Sequence, residues 1–206
     1  MLSQAGTRRV VAHVVEPVGR LLVRAGVTPD VITVVGTLGV SAAALATWPR
    51  GEFLVGTFLI LVFVFGDTLD GTVARLRGGG TRWGAFLDSS LDRVADAAVL
   101  GSVALWYAGG GNSTLMCGVV VWSLSAALTT SYLKARAEAV GATADVGVAE
   151  RSDRLVLVLT AAGFSDLLDV PAVLVVAMWV LAVATTVTVV QRLVVVRRQT
   201  VGVPLG

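Results

Sequence analysis

The chain has little of what disulfide-bonded, nucleic-acid-binding or soluble proteins use. Its 206 residues include one Cys and one His, which excludes an intrachain disulfide framework and a histidine-based metal site or catalytic triad. Aromatic residues make up 6%, so we expect no base-stacking surface and no nucleic-acid partner. Charged residues make up 15%, well below the roughly 25% of soluble domains.

Apolar residues take the place of the missing charges. They make up 55% of the chain, and the mean hydropathy is +0.83. Clusters of Gly, Pro and polar residues separate six apolar segments, near 30–48, 53–75, 83–107, 114–137, 153–168 and 171–193. Since a helix needs about 20 apolar residues to cross a bilayer, we predict an all-α integral membrane protein with six transmembrane helices.

The N-terminal segment has a different pattern. In residues 1–27, Val and Leu recur at helical spacing with Arg8, Arg9, Arg20 and Arg24 among them. This pattern predicts an amphipathic helix at the membrane interface, although a helix packed on the bundle would show the same spacing. We therefore divide the chain into a juxtamembrane helix, 1–27, and a membrane domain, 28–206.

The basic residues indicate the orientation. Of the 16 Lys and Arg residues, all but Arg50 fall at the termini or at breaks on one side of the predicted bundle. The positive-inside rule then places both termini on the cytoplasmic side of the cell membrane. Trp48 and Trp106 fall at the opposite helix ends, where an interfacial aromatic belt is expected.

Four carboxylates stand out in this apolar chain. Asp67 and Asp70 are three residues apart, Asp88 and Asp92 are four apart, and each pair therefore shares one helix face. Clustered carboxylates repel one another unless a cation lies among them. Because oxygen ligands suit hard ions such as Mg²⁺, Mn²⁺ or Ca²⁺, we predict one or two divalent ions, Mg²⁺ with Mn²⁺ as an alternative, in the cytoplasmic half of the bundle.

The full spacing of this stretch, D-x2-D-G-x2-A-R-x8-G-x3-D-x3-D, resembles the signature of the CDP-alcohol phosphotransferases. These are membrane enzymes of phospholipid synthesis. The resemblance implies that CDP-diacylglycerol is the donor and that Asp92, the last Asp of the motif, is the base that deprotonates the acceptor alcohol. Asp96 lies one turn further on, and we expect it to pair with a cation or to order the surroundings of the ligands.

Several residues outside the Asp pairs are expected to bind CDP-diacylglycerol. The resemblance assigns Asp30 and Thr33 to the cytidine nucleotide, although Thr28 or Asp30 could equally cap the helix that Pro29 begins. Gly71 lets a nucleotide approach the helix backbone, Arg75 offers a forked donor to phosphate, and Thr81 offers a hydroxyl. We assign Gly84 a packing role between the two Asp helices.

A second group of cations lies around the break between the fourth and fifth apolar segments and at the end of the sixth. We predict an acceptor pocket that binds a phosphate through Lys134, Arg151, Arg154 and Arg192. Ordinary positive-inside charge with local ion pairs explains the same residues equally well. The stretches S-Y-L-K-A-R-A-E-A and E-R-x-D-R resemble those of actinobacterial phosphatidylinositol phosphate synthases, a branch of the family. That resemblance implies inositol phosphate as the acceptor and a homodimer in the membrane.

Two other functions fit part of the pattern. The Asp motif is compatible with glycerol 3-phosphate as the acceptor, as in a phosphatidylglycerophosphate synthase. A divalent-cation transporter would also cluster carboxylates, but it needs polar residues that reach the far leaflet. The far halves of these segments contain few, and a transporter leaves Gly71 and Arg75 unexplained.

Overall fold

Helices account for all the regular structure that is described. The structure is a computed structural model that describes residues 17–76 and 78–202, without the side chains of residues 67–70. The helices are α1 (residues 17–24), α2 (Pro29–Thr47), α3 (Phe53–Leu76), α4 (Arg82–Ala108), α5 (Thr114–Ala139), α6 (Arg151–Leu167) and α7 (Ala172–Thr200). No strand occurs among these residues, and the predicted all-α class is confirmed.

Four of the helical segments are long and apolar enough to cross a membrane. They are Pro29–Arg50, Phe53–Leu76, Thr114–Ala139 and Ala172–Thr200. The other two predicted spans correspond to α4 and α6. However, α6 has only 17 residues, and α4 carries several charges along its first half. The described chain therefore has the helices of a membrane protein, and the count of six spans stays a prediction.

The predicted interfacial helix falls largely outside the described residues, which begin at residue 17. Its described part, α1, is helical and lies against α3. A Cβ added to Gly19 would be 3.0 Å from Thr72 Cγ2 and 3.4 Å from Leu76 Cδ1. Such close packing agrees with the alternative of a helix packed on the bundle, and the interfacial position stays a prediction.

The chain divides into two compact units. The first comprises the residues up to Ala44 together with Phe58–Ala98, and the second comprises Leu45–Thr57 together with the residues from Val99 onward. The second unit is built around α7, which packs against α5 and α6. Its fully buried side chains include Val120, Val158, Leu174, Met178 and Leu181.

One prediction about the aromatic residues is wrong. Trp48 is fully buried in the second unit, where Phe53 packs between it and Trp106. The ring centroids are 5.8 Å and 5.6 Å apart, and the Trp48 indole N–H donates to the Phe53 carbonyl at 3.2 Å. Trp48 is thus a core residue rather than part of an interfacial belt, because its polar N–H is satisfied within the protein.

The start of α3 is capped from a distant helix. The Asp166 carboxylate, at the end of α6, accepts from the Leu54 amide at 2.7 Å. We expect Asp166→Ala to lower the free energy of unfolding by about 1 kcal/mol, because an amide in the first turn loses its acceptor. Asp166→Asn should lose less, since its amide oxygen still accepts. Thermal unfolding in detergent checks the order, and equal losses would contradict a capping role.

Candidate functional site

A cavity of about 560 Å³ opens in the first unit. It is lined by Thr28, Pro29, Asp30, Thr33, Gly71, Ala74, Gly79, Gly80, Thr81, Gly84, Ala85 and Asp88. Four of the five residues predicted to bind CDP-diacylglycerol, and one predicted metal ligand, are therefore brought together. They come from the start of α2, the end of α3 and the start of α4.

Two helix N-termini meet this cavity. α2 begins at Pro29, and the Thr28 hydroxyl accepts from the Val31 amide at 3.4 Å. α4 begins at Arg82, and the Thr81 hydroxyl accepts from the Gly84 amide at 2.9 Å. Free amides and the positive end of the helix dipole favour anions at such positions. The cavity therefore suits a ligand that carries phosphate groups.

Glycine keeps the cavity open. A Cβ added to Gly71 would have no atom within 4 Å, so this part of α3 faces open space. A Cβ on Gly84 would be 3.2 Å from the Thr81 hydroxyl and 3.4 Å from Asp30 Oδ1. Because it would fill the space between two predicted nucleotide-binding residues, Gly84 also serves the cavity itself, in addition to the packing role predicted for it.

The loop between α3 and α4 supplies lining residues that the sequence did not indicate. Gly79 and Gly80 line the cavity, and Gly79 has a φ of +122°. A side chain is strained in that conformation. The run Gly78-Gly79-Gly80 is the sequence signal at this place, but it lacks the Gly-Lys-Ser/Thr that follows in a phosphate-binding P-loop.

The Asp motif is described in part. Asp88 lines the cavity, and Asp92 follows one turn further along α4, 20% exposed and 3.9 Å from Arg93 Nη1. The side chains of Asp67 and Asp70 lie outside the description, although both residues belong to α3. Among the side chains that are described, no three His, Cys, Asp or Glu residues are grouped to bind a metal. The four-carboxylate site therefore stays a prediction.

Arg75 directly follows the lining residue Ala74 in the sequence but does not itself line the cavity. Its side chain is exposed, and one guanidinium nitrogen donates to the Thr72 hydroxyl at 3.0 Å. A guanidinium has five N–H donors, so this bond leaves donors for a phosphate. The predicted role of Arg75 stays a prediction.

Two buried arginines meet at Thr130 in the second unit. Arg154 and Arg192 are 6% and 7% exposed. Arg192 Nη1 donates to the Thr130 carbonyl at 2.6 Å, and Arg154 Nη1 lies 3.5 Å from the Thr130 hydroxyl. Burying a positive charge away from water costs free energy unless an anion or several hydrogen-bond acceptors contact it. These residues, from α6 and α7, were predicted to bind the acceptor phosphate.

The loop between α5 and α6 also depends on these arginines. Arg192 Nε donates to the Val146 carbonyl at 2.9 Å, and Arg154 Nη1 donates to the Ala149 carbonyl at 3.1 Å. These bonds could not be predicted from the sequence, because residue spacing does not reveal bonds to a distant backbone. Arg154 and Arg192 therefore have a structural role whether or not they bind phosphate.

α7 holds the same loop, residues 140–150, at further points. The Gln199 side chain exchanges hydrogen bonds with Thr143, accepting from its amide at 3.0 Å and donating to its carbonyl at 2.8 Å. The Thr188 hydroxyl accepts from the amides of Val148 and Ala149, both at 3.2 Å. Several backbone groups of a chain segment without helix or strand thus have their hydrogen-bond partners on α7.

Lys134, the third of the four residues predicted to bind the acceptor phosphate, is paired with a residue of the same loop. Its ammonium nitrogen lies 2.5 Å from Asp145 Oδ1, and both side chains are exposed. The hydrogen bond from Lys134 and its positive charge hold the pKa of Asp145 below its ordinary value, with a smaller contribution from Arg192. The remaining residue, Arg151, is half-buried in the first turn of α6.

The features described so far define a class of protein. The chain is helical and apolar, and one unit has a cavity where helix N-termini and carboxylates meet. The other unit has a cluster of buried and exposed cations. A membrane protein that binds anionic, phosphate-containing substrates would have both features.

Comparison with known proteins identifies the family. Residues 26–190 match the family model of the CDP-alcohol phosphatidyltransferases, and the chain belongs to that family. A phosphatidylinositol phosphate synthase from Streptomyces avermitilis is 48% identical over 198 residues, which is 93% of this chain and 81% of the relative.

Solved structures agree with this assignment. A crystal structure of the Mycobacterium tuberculosis phosphatidylinositol phosphate synthase with CDP-DAG bound has a TM-score of 0.87 and 44% identity, and the match covers 90% of this chain and 94% of that one. The same enzyme in complex with manganese and citrate has a TM-score of 0.85 and 44% identity, covering 88% of each chain. The resemblance on which the sequence prediction was based is therefore confirmed.

Proposed function

We propose that the protein transfers the phosphatidyl group from CDP-diacylglycerol to inositol phosphate (1D-myo-inositol 3-phosphate, also named L-myo-inositol 1-phosphate), giving phosphatidylinositol phosphate and CMP. The observation that carries the proposal is the cavity in which Asp30, Thr33, Gly71, Thr81 and Asp88 meet. Its relatives, 43–48% identical, are named phosphatidylinositol phosphate synthases and support the same reaction.

The cavity of the first unit would hold the cytidine pyrophosphate of the donor. The N-termini of α2 and α4 offer backbone amides to the phosphates, and the open face at Gly71 lets the nucleotide lie against α3. Asp30 and Thr33 would contact the cytidine, and the Thr81 hydroxyl and the Arg75 guanidinium would donate to phosphate oxygens. The relative crystallised with CDP-DAG supports this assignment of the donor.

Asp67, Asp70, Asp88 and Asp92 would hold one or two divalent ions, Mg²⁺ or Mn²⁺. These residues suit such ions, because all their ligand atoms are carboxylate oxygens and Asp88 lines the cavity. When bound, such ions neutralise the pyrophosphate and the leaving CMP. The manganese complex of the relative supports a metal of this kind.

The reaction needs a base for the acceptor hydroxyl, and we assign this role to Asp92. Its carboxylate takes the hydroxyl proton as the hydroxyl oxygen attacks the phosphorus that carries the lipid. The bond from that phosphorus to the CMP oxygen breaks, and CMP leaves. Asp96, one turn further along α4, would support this carboxylate from outside the reacting groups.

Lys134, Arg151, Arg154 and Arg192 would bind the phosphate of the acceptor. The meeting of Arg154 and Arg192 at Thr130 supports this role, because two buried guanidiniums side by side favour an anion. Their bonds to loop carbonyls hold them in position before the substrate arrives.

The remaining features of the proposal concern the whole protein. We propose a multi-pass protein of the cell membrane with an interfacial helix at 1–27, a six-helix membrane domain at 28–206, and both termini and the active site on the cytoplasmic side. The positive-inside pattern supports this orientation. A homodimer is proposed from the family resemblance alone.

The proposed function is tested by the choice of acceptor. Purified protein in detergent, with CDP-diacylglycerol and Mg²⁺, is expected to release CMP with inositol 1-phosphate and far more slowly with glycerol 3-phosphate. Omission of the metal should abolish release with either. Turnover with glycerol 3-phosphate but not with inositol 1-phosphate would overturn the proposed acceptor while leaving the reaction class intact.

A further inference from the structure

The ion pair between Lys134 and Asp145 occupies a side chain that the proposed reaction needs. Lys134 is assigned to the acceptor phosphate, yet its ammonium group lies 2.5 Å from the Asp145 carboxylate. A phosphate and a carboxylate offer the same ammonium the same kind of contact, a negatively charged oxygen. The two anions therefore compete for one cation.

The loop holds Asp145 in place for this contact. Gln199 fixes Thr143 on one side of Asp145, and Arg192 fixes Val146 on the other. Gly147 has a φ of +152°, and a Cβ there would be 2.5 Å from Thr188 Cγ2, so the loop lies tightly on α7. The position of Asp145 is thus set by bonds that do not involve its own side chain.

We propose that Asp145 is an internal counter-ion that occupies Lys134 until the phosphate of the acceptor displaces it, and that it thereby lowers the affinity of the pocket for anions. The inference rests on the proposed function for the identity of the acceptor. It makes Asp145 a specificity-determining residue, because an acceptor must bring a phosphate that competes with the carboxylate. A polyol without phosphate has no group that can do so.

The size of the effect follows from the exposure of the pair. Side-chain exposures of 47% for Lys134 and 68% for Asp145 place the contact in water. Ion pairs of this kind are weak, and breaking one is expected to change an affinity by about two- to fivefold. The direction of the change is unusual, since loss of the Asp145 charge should tighten binding.

The test compares Asp145→Asn with wild type and with Asp169→Asn in the full-length protein. Asp145→Asn removes the charge and keeps the shape, and the loop retains its bonds to α7. Asp169→Asn makes the same change of net charge at an exposed residue beyond the far end of α6. Binding of inorganic phosphate, measured by calorimetry in detergent, should be about two- to fivefold tighter for Asp145→Asn. Asp169→Asn should bind nearly as wild type does.

Lys134→Ala completes the cycle. It should raise the KM for inositol 1-phosphate more than that for CDP-diacylglycerol, and in its background Asp145→Asn should no longer tighten phosphate binding. Unchanged or weaker binding in Asp145→Asn, or equal tightening in Asp169→Asn, would overturn the role of Asp145. CMP release from wild type distinguishes a failure of the Asp145 role from a failure of the proposed function. If inositol 1-phosphate does not support turnover in any variant, the proposed function fails. The phosphate-binding comparison still tests whether Asp145 competes with phosphate for Lys134.

Discussion

Asp92→Asn is expected to lower kcat by about 10²- to 10⁴-fold, the usual contribution of a general base, while CDP-diacylglycerol still binds. An amide has nearly the same shape as a carboxylate but cannot take the hydroxyl proton. CMP release at saturating substrates measures the loss, and binding of CDP-diacylglycerol checks that the cavity is intact. Normal turnover would remove Asp92 from the role of base.

Two controls separate the roles of Asp92. Asp96→Asn changes the next carboxylate along α4 and should reduce kcat far less, because that residue lies outside the Asp motif. The Mg²⁺ concentration needed for half-maximal rate distinguishes base from ligand. Because Asp92 is assigned to the metal as well as to the base, Asp92→Asn should raise this concentration, and an unchanged value would leave Asp92 as a base alone.

Arg192→Ala is expected to have two separate effects. The Val146 carbonyl loses its donor, which should lower the free energy of unfolding by about 1–3 kcal/mol. Loss of a charged donor to the acceptor phosphate should also raise the KM for inositol 1-phosphate by about 10- to 100-fold. Thermal unfolding in detergent measures the first effect, and CMP release measures the second.

Two further variants distinguish these contributions. Arg192→Lys keeps the charge but loses the forked donors that join Thr130 to Val146. It should therefore recover part of the KM without recovering the stability. Arg197→Ala removes an exposed cation from the same helix and should change neither quantity. If Arg192→Ala behaves like Arg197→Ala, both roles of Arg192 are wrong.

The sequence predicted those parts of the protein that follow from local spacing. Apolar segments predicted the helix ends to within two residues, except that α7 continues seven residues past the predicted end at 193, and the Asp motif indicated the family. Asp30 and Thr33, more than 50 residues before Asp88, were placed at the same cavity through the resemblance. Such assignments succeed because each depends on a short motif whose residue types are dictated by its ligand.

Contacts between distant residues could not be predicted in this way. Trp48 has the position of a belt residue along its helix, and only the packing of Phe53 against it shows that it belongs to the core. The segment 140–150 has no helical or strand periodicity, so its bonds to Gln199, Arg192 and Thr188 were not foreseen. The pairing of Lys134 with Asp145 likewise depends on the path of that loop.

The bond from Arg192 to Thr130 has a consequence for the backbone of α5. In an α-helix, the carbonyl of residue 130 is the acceptor for the amide of residue 134. The guanidinium of Arg192 and the main chain of Lys134 therefore share one oxygen atom. Two residues that are 58 positions apart in the chain are therefore joined through a single backbone acceptor, although the bond reaches the main chain of Lys134 and not its ammonium group.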